Sequence, residues 1–217
     1  MGTIISYIQQ GDITGLLLYL LFVLLAMCIA VSFHEWAHAF VSYKLGDPTA
    51  KNMGRMTLDP TKHLDPWGLL CFLVFRIGFA KPVIVNPRNL KHFRRDDIFI
   101  SLAGPLMNLL LSFVFFGVLF FCTYAEANEY LLEALWYIVV LNVSFAIFNV
   151  LPIPPLDGFH VVTSLFIRKH YKVVDVLNRF GFLILIALCF TGVLDIVLNA
   201  AANGLFSLYS SFYSLFI

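Results

Sequence analysis

His34, Glu35 and His38 are the residues of this chain whose types and spacing could do chemistry. Side chains four apart on a helix stack on one face, so both imidazoles can reach a single metal ion. The glutamate between them is then placed to take a proton from a water that the metal has activated. This H-E-x-x-H spacing is the signature of zinc-dependent peptide hydrolysis, with zinc as Lewis acid and water activator. The setting sharpens the reading. The three residues lie in an apolar run that starts near Leu16 and meets no lysine until Lys44. An ionisable side chain at membrane depth costs about 2.5–3.5 kcal/mol on insertion scales, so three together point to a function. The alternative, two histidines satisfied by neighbouring helices, is the weaker reading.

A catalytic zinc uses three protein ligands and keeps a fourth position open for water. Two histidines leave one ligand to find, and a carboxylate would complete the set. Asp157 is the candidate. It follows Pro152, Pro154 and Pro155 inside an otherwise apolar stretch, where an ionisable group is a functional candidate by default. At 1.5 Å per residue, His38 and His34 lie about 9 and 15 Å from Lys44, and Asp157 lies about 16 Å from Arg168. The depths are compatible. His160 is a weaker candidate, because a histidine in such a place more often contacts backbone.

Membrane helices must position these groups. Of 217 residues, 60% are hydrophobic and 12% are charged, which excludes an ordinary soluble globule and predicts one all-α polytopic membrane domain over 1–217. Its core would cover about 16–167, and its last span and tail 181–217. A net charge of +1, with no basic stripe carrying aromatics, gives no reason to expect a nucleic-acid partner. The four cysteines stand alone, against a thiolate site or a disulfide framework. No lysine or arginine precedes the first apolar run, against a cleaved secretory signal.

The apolar pattern predicts about four crossings, at 16–43, 98–122, 136–167 and 181–204. The third is broken by its prolines, and Gly104-Pro105 starts the regular helix of the second. Residues 69–80 are too few to cross as a helix, which takes about 20, and read as a short re-entrant or β-like element. A short strand is expected at 55–58. Ser207, Ser210, Ser211 and Ser214 make 205–217 a C-terminal amphipathic helix, lying in the membrane surface or packed on the last span. Every lysine and arginine except Arg76 falls within 44–66, 81–95 or 168–179. These loops should face the cytoplasm, with both termini outside. Backbone broken at membrane depth is tolerated only where protein buries it or where it lines a wet cavity. His63, His92 and His170 should be solvated in loops. Asn108 and Asn142 read as interhelical hydrogen-bond partners, and nothing links Asp195 to the metal site.

Together these motifs resemble the site-2 protease family of intramembrane zinc metalloproteases. The likeness rests on His34-Glu35-x-x-His38 in a first membrane helix and on the run from Asn149 to Gly158 in a later one. Gly104-Pro105-x-x-Asn108 is similar to a family element between them. The 55–60 stretch, His63-x-Asp65-Pro66-x-Gly68 and Lys81-Pro82-Val83 look like the compact bacterial and archaeal members. The resemblance implies one zinc per chain held by His34, His38 and Asp157, Glu35 as general base, and Asn149 holding the substrate backbone or oxyanion. It also implies substrates within the lipid bilayer, namely single-span membrane proteins or remnant signal peptides cut in regulated intramembrane proteolysis. Phe159 stands where a small residue is frequent, which bears on packing rather than on the ligand. The length leaves no room for a PDZ or CBS module, so regulation by one is not expected. Two other functions compete. A metal or proton transporter would usually show internal repeats, and none is visible. A non-proteolytic member that only binds membrane helices would tolerate loss of Glu35, which is intact.

Overall fold

The computed structural model describes residues 2–75, 78, 80–166 and 171–216. Arg76, Ile167, Arg168, Lys169 and His170, which figure in the charge and depth arguments, lie outside them. The chain is an all-α polytopic membrane fold. A short helix, α1 (Gly2–Gln10), leads into α2 (Ile13–Lys44), which Asp12 caps by accepting from the Gly15 N–H at 2.9 Å. One short turn, α3 (Thr49–Asn52), follows, and then α4 (Pro66–Phe75), α5 (Phe93–Tyr124), α6 (Glu129–Val150) and α7 (Asp157–Phe166). The chain ends in α8 (Tyr171–Phe190) and α9 (Val193–Tyr213). Among the described residues five helices are long and apolar enough to cross a membrane: α2, α5, α6, α8 and α9.

The helix carrying the H-E-x-x-H motif has one buried face. Val23, Ala26, Met27, Ala30, His34, Ala37 and His38 recur every three or four residues, while Leu17, Leu21, Leu24 and Leu25 are exposed. Small residues on the inner face let α5 and α6 approach closely, as membrane helix contacts favour. Elsewhere α9 packs on α5 and α6 through Val139, Val143 and Tyr209, with Phe113, Phe116 and Phe206 around them. The Tyr213 hydroxyl donates to the Phe113 carbonyl at 3.0 Å, and Gly117 leaves room for that ring.

Several boundaries differ from those the sequence suggests. Gly104-Pro105 does not start a helix, because α5 begins at Phe93 and carries Pro105 inside it. Residues 181–204 are not one segment. Gly192 takes φ +71°, which glycine adopts without steric cost, and divides the stretch into α8 and α9. The serine-bearing tail is therefore the continuation of α9 as far as Tyr213. Helix α6 starts at Glu129, where Asn128 accepts from the Tyr130 N–H, so α6 alone has the length of a crossing before the proline break. No strand forms at 55–58, and among the described residues the β-like character near α4 is one antiparallel bridge between Leu64 and Ala80, which joins the two flanks of that element.

The 44–66 loop is more ordered than its polar composition suggests. His63 is fully buried, not solvated, with Nε2 donating to the Thr57 carbonyl at 2.8 Å. Burial opposes the charge on Asp47, but hydrogen bonds from Thr49, Asn89 and Asn86 outweigh it and hold the carboxyl below the usual range. Hydrogen bonds from the Thr61 side chain and backbone do the same for Asp59. A depressed folded pKa contributes stability that is complete above the unfolded value of about 3.9 and is lost as the pH falls through the folded one. Thermal melts in detergent should therefore be flat above about pH 5 for these two groups and fall below pH 4, and Asp47→Ala should remove part of that acid-side slope.

Candidate metal centre

The two histidines of α2 stand one turn apart with their Nε2 atoms separated by 3.0 Å. Asp157, the first residue of α7, brings Oδ2 to 3.1 Å from His34 Nε2 and 3.3 Å from His38 Nε2. The break after α6 makes this approach possible. A Cβ on Gly158 would lie 2.0 Å from the Val150 carbonyl oxygen, so only glycine lets α7 fold back so tightly against the end of α6.

Hydrogen bonding fixes both tautomers. Asn142 gives its amide N–H to the Ile138 carbonyl at 2.8 Å, which turns its oxygen towards Asn108. Asn108 in turn donates to that oxygen at 2.8 Å and to the Ala30 carbonyl at 3.0 Å, so its own oxygen must accept from His34 Nδ1, at 2.6 Å. His38 Nδ1 donates to the Ile100 carbonyl at 2.6 Å. Pro105 removes the bond to the neighbouring Ser101 carbonyl and loosens that turn of α5. With both Nδ1 atoms donating, each neutral imidazole turns a lone pair inward from Nε2.

Three acceptors thus converge with no donor among them, and Asp157 Oδ2 is buried without a hydrogen bond. Only a cation reconciles them: a metal ion, or a proton in its place. The separations suit zinc, because a tetrahedral ion with bonds of about 2.0–2.1 Å sets its ligand atoms roughly 3.3–3.4 Å apart. Among the described residues this is the one group of three or more metal-ligating side chains close enough to share an ion. Donor chemistry and spacing fit. Gly104 supplies the clearance, since a Cβ there would meet His38 Nε2 at 2.4 Å and His34 Nε2 at 2.6 Å.

Glu35 lies at the edge of the cluster, with Oε2 accepting from the Val83 N–H at 3.0 Å. Two cavities meet at Glu35, Pro82, Pro155 and Asp157. The larger, about 1220 Å³, has charged and polar side chains in its walls, among them Arg94, Asp97, His160 and Lys172. The smaller, about 490 Å³, is lined mainly by apolar side chains such as Phe72, Leu141, Phe145 and Leu198. Asn149 faces the smaller one, its amide donating to the Phe145 carbonyl of its own helix at 3.0 Å. His160 stays outside the cluster of three. Asp195, which no sequence pattern ties to the site, lines the smaller cavity together with Glu35 and Asn149. Asn108, Gly104 and Val83 are the contributors that spacing alone leaves unassigned. The local signals for them are the family-like Gly104-Pro105-x-x-Asn108 and Lys81-Pro82-Val83 stretches, which give no role to any single residue.

The fold and the site define a membrane-embedded protein of the metallopeptidase kind, and the comparisons agree. The model of peptidase family M50 matches residues 22–128 and 123–188. The chain is 35% identical over 205 residues to "Putative zinc metalloprotease YwhC" of Bacillus subtilis, covering 88% of this chain and 92% of that protein. Rip2 of Mycolicibacterium smegmatis, described in the same words, is 29% identical over 177 residues, which is 79% of this chain and 66% of Rip2. Rip2 of Mycobacterium tuberculosis is 28% identical over 137 residues, 60% of this chain and 52% of its own length. No solved structure matches the chain. The chain belongs to the site-2 protease family, peptidase family M50.

Proposed function

We propose that this protein hydrolyses peptide bonds in or beside transmembrane segments of membrane proteins, with one zinc ion held by His34, His38 and Asp157. The observation that carries the reading is the convergence of three buried acceptors beside Glu35, whose Oε2 accepts from a backbone N–H. Bound there, zinc supplies Lewis acidity and makes water nucleophilic near neutral pH. Glu35 takes the proton from the attacking water and returns it to the leaving amine. Its Oε2 is held by the Val83 N–H, which leaves Oε1 for the proton. Asn149 exchanges its bond to the Phe145 carbonyl for one to the substrate backbone or to the developing oxyanion. The larger cavity, with its charged side chains, admits water, and the smaller one suits the side chains of a substrate helix. Phe72, Gly78 and Ala80 line the apolar cavity, which supports a gating role for residues 69–80.

The substrates on this reading are single-span membrane proteins or remnant signal peptides. The basic loops face the cytoplasm and the N-terminus lies outside; five crossings, in place of the four the sequence suggests, then bring the C-terminal end of α9 to the cytoplasmic side.

The test is cleavage of a single-span substrate in detergent by wild type and Glu35→Gln, with zinc measured in both. Equal zinc and a turnover lower by about 10²–10⁴-fold in the variant are expected. Undiminished cleavage by Glu35→Gln would sink the assignment of the base, and zinc-loaded wild type that cuts nothing would favour a protein that only binds helices. Asn108→Leu should lower zinc affinity by about 10–100-fold, the usual effect of losing the group that orients a ligating histidine. Competition with a chromogenic chelator reads it directly.

A further inference from the structure

We propose that Asp47 is a positioning residue for the general base, holding the segment 81–90, which ends in a 3₁₀ turn at Pro87–Asn89, in the register that sets the Val83 N–H against Glu35. The inference rests on Glu35 acting as that base. Asp47 is 0% exposed and lies past the end of α2, outside the metal cluster. Five donors surround its carboxylate, and all are neutral. Oδ1 accepts from the Thr49 N–H at 3.1 Å, the Thr49 hydroxyl at 2.5 Å and Asn89 Nδ2 at 2.7 Å. Oδ2 accepts from the Asn86 N–H at 2.7 Å and the Ser42 hydroxyl at 3.2 Å. Two of these donors come from the segment itself and one from α2, the helix that carries Glu35.

The arrangement is a ruler with two rungs. From Glu35 to Ser42 the helix rises about 10.5 Å, and from Val83 to Asn86 an extended chain covers about 10 Å. The segment therefore runs beside the last two turns of α2, bonded at one end to Glu35 and at the other to Asp47 beside Ser42. Its start is tied down separately, by the Lys81 N–H to the His63 carbonyl at 2.7 Å and by the Leu64–Ala80 bridge. A slip by one residue would move every amide by about 3.4 Å and turn the neighbouring N–H to the opposite side. Glu35 would then face backbone carbonyl oxygen or nothing. The Lys81 and Ala80 contacts resist this from the start of the segment, and the Asp47 end completes the hold, because its oxygens accept from two specific points, Asn86 and Asn89. A carboxylate is needed there. An amide would present one N–H₂ face to donors that need an acceptor.

The test uses the full zinc-loaded chain in detergent, with Asp47→Asn and Asn89→Ala. Three readouts are taken: zinc per chain, hydrogen exchange of the peptide containing Val83 and Asn86, and kcat and KM on casein as an unfolded probe. Asp47→Asn should keep wild-type zinc, exchange the Val83 peptide at least about 10-fold faster, and lose up to about 10²-fold in kcat with KM nearly unchanged, the size of effect that a displacement of about 1 Å produces. Asn89→Ala, which leaves four of the five bonds, should move the same readouts in the same direction by less. Unchanged Val83 exchange in Asp47→Asn overturns the proposal, and so does a fall in activity matched by a fall in zinc or by a rise in KM. If Asp47→Asn fails to fold, Asn89→Ala decides on the same criteria. Wild type that binds zinc but leaves casein and the single-span substrate intact would sink the protease reading instead, and Val83 exchange would then decide the anchor alone.

Discussion

Replacing Gly104 with alanine is expected to abolish metal binding, and all hydrolysis with it, while leaving the helix bundle standing. The added methyl would sit 2.4 Å from His38 Nε2 and 2.6 Å from His34 Nε2 and Cε1. Neither ring can step aside. His38 is held at its far nitrogen by the Ile100 carbonyl and His34 by Asn108, each at 2.6 Å. Ring displacements near 1 Å exceed the roughly 0.5 Å that a ligand constellation tolerates. Alanine is the better helix former, by about 0.8–1.0 kcal/mol, so α5 itself should not suffer. Zinc per purified chain should drop to background while the circular dichroism is unchanged. Gly204→Ala is the control, because nothing lies within 4 Å of a Cβ there. Near-stoichiometric zinc in the Gly104 variant would mean that the histidines hold no metal between them.

Asp157→Asn is expected to have an effect of similar size for a different reason. The shape of the side chain is kept, but its charge is lost, and one of two oxygens becomes a donor. The fold should tolerate this, because an amide N–H can satisfy the inward lone pair of His34 or His38 at 3.1 or 3.3 Å. Zinc affinity should fall well beyond the roughly 10–100-fold that loss of a supporting partner costs. The clean readout is thermal stability with and without added zinc. At a hundredfold excess over its Kd, a ligand that binds only the folded state adds about 2.7 kcal/mol. Wild type should show that gain, and Asp157→Asn should show nearly none at the same concentration. His160→Ala should behave as wild type. The reverse pattern would move the third ligand from Asp157 to His160.

How much of this was legible depends on how local each feature is. The H-E-x-x-H spacing lies within one turn of one helix, so the sequence alone puts both imidazoles on one face. Asp157 is legible for a different reason: an acid in an apolar stretch needs an explanation wherever it ends up. The turn at Gly192 is hidden because hydropathy runs across it unbroken and a single glycine carries the whole change of direction. Pro105 reads as a helix start because proline is favoured there, yet tertiary packing keeps it inside α5. The burial of His63 and the five bonds to Asp47 come from a polar loop folding on itself and on a partner about 40 residues away, which no periodicity reports. The place of Asp195 on the apolar cavity depends on where α9 docks, and that is a matter of aromatic packing against α5 and α6.

The order in which the chain is made adds a constraint of its own. Asn108, which satisfies His34, comes 74 residues later, and Asp157 emerges later still. At about 5–20 residues per second, α2 waits several seconds in the translocation apparatus or the bilayer with two bare imidazoles and a carboxylate. During biosynthesis the first half of the site is therefore an unpaid polar load, and its partners arrive in a fixed sequence: α5 first to orient, α7 last to close. No ion can be captured in the finished geometry until the ribosome has passed the proline break, so metal loading is a late step of maturation and not of insertion.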